Sequence, residues 1–124
     1  MDAMIERRSH PRIRVSHPAL YFSHIYPRPR VASTVDLSLG GTRIETPYSL
    51  IFGEHLDISI AIRPQVIQCR GRVVHVRTSQ GEDSPIGLRF EAGIRFEGMS
   101  EQDRLYLTDY LSGMMEEVNP HFDD

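Results

Sequence analysis

The chain has no lysine; all 14 of its basic residues are arginines. It has one cysteine, Cys69, so no disulfide can form within it. Cys69 sits in an apolar-rich run beside Arg70, the setting of a buried structural thiol rather than a nucleophile. No apolar run approaches the roughly 18 residues that a membrane helix needs, so no membrane insertion is expected. The N-terminus lacks the apolar stretch of a secretory signal, which makes the cytoplasm the expected location. P-loop and Rossmann glycine patterns are missing, and so is a nucleophile elbow around any serine. With no catalytic pair in view, an enzyme is the least favoured class.

What is present is ordinary in amount and uneven in distribution. A length of 124 residues suits one domain with a single core. Residues 1–30 carry six arginines against Asp2 and Glu6, a net of +4. Residues 31–124 carry eight arginines against 15 acids, a net of −7. A basic arm on an acidic body suits a small anionic ligand held where they meet. It argues against an oligonucleotide-binding barrel, which needs basic charge spread over its face. No nucleic acid polymer is therefore expected as a partner.

Residues 1–17 show no strand or helix period and are expected to form a flexible arm. Strand composition follows at 19–25. Tyr26-Pro-Arg-Pro29 signals a turn, and 30–37 reads as a strand with Val31, Val35 and Leu37 on one parity. Gly40-Gly41 reverses the chain into 42–46. Residues 54–62 alternate, with Leu56, Ile58, Ile60 and Ile62 facing one way. Residues 65–78 form a further strand whose apolar phase changes near Gly71, predicting a bulge there. A polar loop follows to Pro85.

Residues 87–98 repeat directly, Gly-Leu-Arg-Phe-Glu-Ala then Gly-Ile-Arg-Phe-Glu-Gly. Ile86, Leu88, Phe90, Ala92, Ile94 and Phe96 share one face, and Arg89, Glu91, Arg95 and Glu97 the other. One long half-buried strand, with the charged face toward solvent, or two shorter pieces broken at Ala92-Gly93 both fit. The period then becomes helical. Ser100-Glu-Gln-Asp103 resembles a capping box, and Leu107, Leu111, Met114, Met115 and Val118 line one side of a helix over about 100–117. The expected fold is mainly β. It is a small six-stranded antiparallel barrel over 18–118 with a C-terminal helix, a flexible N-terminal arm over 1–17, and an acidic tail over 119–124.

Two motifs carry chemistry. Arg8-Ser-His-Pro-Arg12 sets two guanidinium groups four residues apart, and such forks bind phosphate oxygens and the guanine edge. Asp36-Leu-Ser38-Leu-Gly40-Gly41 sets a carboxylate, a hydroxyl and glycines on one tight strand connection. A carboxylate accepts from the N–H groups of guanine. Asp36 and Ser38 are equally the residues that cap turns. The pairing of RxxxR with DxSxxG resembles the PilZ domain, the bacterial receptor module for cyclic di-GMP. Glu6-Arg7-Arg8, Gly71-Arg-Val-Val74 and Gly93-Ile-Arg-Phe-Glu-Gly-Met-Ser100 extend the resemblance along most of the chain. The first copy of the six-residue repeat departs from it.

The resemblance implies a cyclic di-GMP site made by Arg7, Arg8, Arg12, Asp36, Ser38, Gly40 and Gly41, with no cofactor. Arg8 and Arg12 would contact phosphate and guanine, Asp36 guanine N–H groups, and Ser38 would add a hydroxyl. Gly41, with Gly40, would allow close approach or a positive φ. An arginine at position 7 is similar to members that bind a stacked ligand dimer. The resemblance further implies a receptor whose ligand orders the arm and changes the surface read by a protein effector. A ligand-free adaptor of the same fold is the alternative. His10, His17 and His24 recur every seven residues, but prolines and a strand separate them, so no metal site is expected.

Overall fold

A computed structural model describes residues 10–79 and 89–118. These hold β1 (Ile13–Arg14), β2 (Pro18–Ser23), β3 (Tyr26–Leu37), β4 (Gly41–Thr46), β5 (His55–Ile62), β6 (Gln65–Ser79), β7 (Arg89–Met99) and α1, the helix Glu101–Val118. The strand order is β1-β3-β2-β5-β6-β7-β4, and β4 also pairs with β3. That last pairing closes six antiparallel strands into a barrel, as the sequence predicts, and leaves no open edge among the six. β1 stands outside the ring, on the same edge of β3 as β2.

Alternation fills the interior. In β5, Leu56, Ile58, Ile60 and Ile62 are all essentially inaccessible. Each contributes roughly 1.5–3 kcal/mol by leaving water. Ile44, Ile67, Val73, Ala92 and Ile94 meet them from the other strands. Cys69 joins the same core, and burial pushes its thiol up to about 12, which makes it unreactive as expected.

α1 adds Leu107 and Leu111 to the core, while Leu105 and Met115 are exposed. Ser100 caps it, its Oγ accepting the Asp103 N–H at 3.0 Å. Asp103 does not complete the predicted box. Its carboxylate accepts the Gln68 N–H of β6 at 3.0 Å and so ties the first turn of α1 to the barrel.

Prolines and bulges account for the departures from the predicted strands. β3 begins at Tyr26, and the turn lies at His24–Ile25, before the prolines. Between the pairs Tyr21↔Arg30 and Ser23↔Tyr26 the register slips, so residues 27–29 sit where ladder hydrogen bonds are not required. A second irregularity falls between Thr34 and Asp36 of β3. It breaks the expected single parity: Val31 is exposed on the outside, whereas Leu37 is in the core.

β6 slips against β7 at Arg70/Gly71, confirming the bulge predicted near Gly71, and again at Val73/His75. The repeat's described part runs unbroken through Ala92-Gly93 as one strand; Ile86, Gly87 and Leu88 lie outside the described residues.

Of the expected arm, residues 10–17 are described, and their course is regular. Ile13 pairs with Leu37 and Arg14 with Asp36. Val15 donates its N–H to Val35 at 3.2 Å. Thr34 then gathers the chain: its Oγ1 donates to the Val15 carbonyl at 2.6 Å and accepts the His17 N–H at 2.9 Å. Periodicity could not reveal this segment, because a two-residue strand has none.

Candidate functional site

The β3–β4 connection is built by its serine. Ser38 Oγ accepts the N–H groups of Gly40 and Gly41 at 3.1 and 3.2 Å and lies 3.2 Å from the Gly41 carbonyl, to which it donates. The Ser38 N–H closes the turn on the same carbonyl at 2.9 Å. The glycines are required by close approach rather than by backbone sign. The only described glycine with positive φ is Gly53. A Cβ on Gly41 would lie 2.2 Å from the Ile94 carbonyl oxygen of β7, and one on Gly40 would lie 2.9 Å from the His10 ring. The turn is therefore packed between β7 on one side and the N-terminal segment on the other.

Asp36 follows the irregularity in β3 and is 3% exposed. Its Oδ1 accepts the Arg43 backbone N–H at 3.2 Å. Its Oδ2 takes Arg43 Nε at 3.0 Å and Nη2 at 2.9 Å, and Arg12 Nη1 at 3.4 Å. Arg43 continues through Nη1 to Glu91 Oε2 at 2.9 Å, and Arg77 forks onto Glu91 Oε1 with Nη2 at 2.8 Å and Nε at 2.9 Å. The result is a chain of charge, Arg12–Asp36–Arg43–Glu91–Arg77, running from the N-terminal segment across β3, β4, β7 and β6. Glu91, expected on the solvent side of its strand, is 5% exposed because two guanidinium groups cover it. Buried carboxylates are retained only when they are paired and hydrogen-bonded in this way.

Beside this network opens a pocket of about 320 Å³, lined by Arg12, Ser38, Gly40, Gly41 and Arg43 together with His75 of β6 and Arg95 of β7. That volume lies near the lower end for small-molecule sites, roughly 300–1,000 Å³.

Of the seven residues that the motifs nominate, Arg12, Ser38, Gly40 and Gly41 line the pocket, and Asp36 lies beneath it. Arg7 and Arg8 lie outside the described residues. Sequence reasoning missed Arg43, Glu91, His75 and Arg95. Arg43 had one legible signal: it sits two residues past Gly41 on the strand that the motif opens. The other three come from strands far along the chain, and their convergence depends on barrel register.

Closed antiparallel strands, one helix and a guanidinium-rimmed pocket beside a β3–β4 turn define a small barrel domain with a surface pocket. The chain belongs to the PilZ domain family, whose family model matches residues 6–113. No curated protein is significantly similar in sequence.

Solved structures share the fold. The PilZ domain with c-di-GMP of YcgR from Escherichia coli is 17% identical with a TM-score of 0.72, covering 95% of this chain and 98% of that one. The MrkH–c-di-GMP complex of K. pneumonia is 18% identical with a TM-score of 0.75, covering 92% of this chain and 55% of that one. The Bacillus subtilis inhibitor of motility, MotI/DgrA, is 15% identical with a TM-score of 0.72, covering 93% and 53%. The chain thus spans about half the length of the latter two. No helix among the described residues is long and apolar enough to cross a membrane.

Proposed function

We propose that the chain is a receptor for cyclic di-GMP and that the ligand sits in the pocket beside the β3–β4 turn. The observation that carries this reading is the convergence of Arg12, Ser38, Gly40 and Gly41, drawn from two separate motifs, on one guanidinium-lined pocket. Arg8 is four residues from Arg12, within reach of the same pocket, and Arg7 adjoins it. Phosphate and the guanine edge suit these forks.

Asp36 enters by exchange. Its contact with Arg12 is the longest of its set, at 3.4 Å, and Arg12 is 41% exposed. An arriving phosphate draws Arg12 away from Oδ2, which then accepts guanine N–H groups while Arg43 keeps the carboxylate aimed. The ligand so draws Arg7, Arg8 and Arg12 onto the barrel rim and alters the surface offered to a protein effector. The reading assigns no catalysis and places the protein in the cytoplasm, where this nucleotide is made.

A second reading has its own support. Ser38 and Asp36 are fully occupied within the protein, so the DxSxxG motif is explained by turn and ion-pair structure alone. That favours a ligand-free adaptor acting through protein contacts. Titration calorimetry with cyclic di-GMP separates the two. The receptor reading expects saturable binding, at least tenfold weaker in Arg12→Ala and in Arg8→Ala, since a charge-assisted hydrogen bond contributes about 1.5–3 kcal/mol. Absence of heat with the wild-type protein supports the adaptor.

A further inference from the structure

Three guanidinium groups line the pocket, and their circumstances differ. Arg43 is spent on Asp36 and Glu91. Arg12 leans on Asp36. Arg95 of β7 is exposed and makes no side-chain hydrogen bond or ion pair with any other described residue. Its neighbours are treated otherwise. Arg72, Arg77 and Arg89 on β6 and β7 each have a carboxylate, in Glu97, Glu91 and Glu45. Glu97, two residues along the same strand as Arg95, goes to Arg72 and His55.

The register sharpens the point. Arg95 stands directly opposite Arg72 across the β6–β7 ladder, and it also pairs with Gly41 of β4. Like charges in directly opposed positions destabilise a sheet. A cation held there without a carboxylate, beside the turn that carries the second motif, suits a site that meets an anion.

We propose that Arg95 is a phosphate-binding residue of this pocket, outside both motifs, and that its fork takes a phosphodiester of the bound dinucleotide. The proposal rests on the receptor reading above. Asp36 and Glu91 bring two negative charges against the three positive charges of Arg12, Arg43 and Arg77, and Arg95, across the β4–β7 ladder from Gly41, adds a further positive charge that no described carboxylate meets. Guanidinium geometry matches two phosphate oxygens at once.

The test is calorimetric titration of the full chain with cyclic di-GMP, using wild type, Arg95→Ala, Arg95→Lys and, as a charge-matched control away from the pocket, Arg104→Ala. Arg95→Ala should bind about ten- to a hundredfold more weakly. It should also lose affinity less steeply as salt is raised. Arg95→Lys should recover part of the loss, because phosphate accepts a point charge as well as a fork. Arg104→Ala should match wild type. The thermal midpoint of Arg95→Ala should equal or exceed that of wild type, since one member of a like-charge pair is gone; a purely structural arginine would lower it. Wild-type affinity in Arg95→Ala, or an equal loss in Arg104→Ala, overturns the proposal and leaves the receptor reading standing. A wild type that does not bind removes the receptor reading and this inference with it.

Discussion

Arg43 and Arg12 share one carboxylate oxygen and should respond differently to removal. Arg43 is three-quarters buried, at 25% side-chain exposure, and holds Asp36 and Glu91 together; Arg12 is more exposed and its single contact is long. Arg43→Ala leaves two buried carboxylates short of a partner. The cost of an unpaired buried charge is about 3–5 kcal/mol. The lower end, about 3 kcal/mol, is expected here, because Arg12 and Arg77 still reach the two acids. Arg12→Ala should cost within about 1 kcal/mol of stability, as an exposed pair does. Urea unfolding of both variants checks this, and equal midpoints would mean that Arg43 carries no structural charge pairing. The same distinction explains what the sequence could show of the site. Arg12, Ser38 and Gly41 were legible because short motifs place them. Glu91 was misassigned to the solvent face, because alternation along β7 says nothing about which guanidinium groups reach it from β4 and β6.

At the scale of elements, the segment before β2 is joined to α1. His17 Nε2 lies 2.7 Å from the Tyr110 hydroxyl, and the rings meet edge to face at 5.3 Å. The His17 backbone is fastened to Thr34 of β3 in both directions. Burial lowers the His17 pKa from its ordinary 6.5. The unfolded chain therefore takes up the proton at higher pH than the folded one. The stabilising contribution is whole above about pH 6.5 and is lost as pH falls through the folded value. His17→Gln keeps a polar group near Nε2 and removes the titration. Its thermal midpoint should fall less than that of wild type between about pH 7 and pH 5. Parallel midpoints across that range would show that His17 does not set the acid sensitivity. None of this coupling was legible in the sequence, where Ser-His-Pro stood in a stretch without period, 93 residues from Tyr110. The barrel strands and α1 were legible because alternation and helical spacing report burial directly. The bulge in β3 escaped because Val31 and Leu37 share one parity in the sequence, although the bulge turns them to opposite faces.

Over the whole molecule, charge is divided between a basic N-terminal quarter and an acidic remainder, a net of +4 against −7. On the receptor reading, that division bears on how many ligands the pocket takes. Each cyclic di-GMP brings two phosphate charges, so a stacked pair brings four. Asp36 and Glu91 keep Arg43 and Arg77 occupied, and Arg12 is the member of that network released to the ligand. On the proposals above, the rest of the compensation comes from Arg95 and from the head of the first motif, where Arg7 and Arg8 adjoin. Arg8 belongs to the RxxxR pair; Arg7 is the additional charge, and its requirement should scale with ligand number. Arg7→Leu should therefore shift the complex from two ligands per protein toward one, with the barrel's unfolding midpoint unchanged. Native mass spectrometry counts the bound ligands directly, and calorimetric stoichiometry checks the count in solution. Two ligands retained in Arg7→Leu would transfer the stacking role to Arg95. A wild-type complex holding one ligand would end the stacked-pair proposal, while leaving the pocket and its arginines as the site of binding.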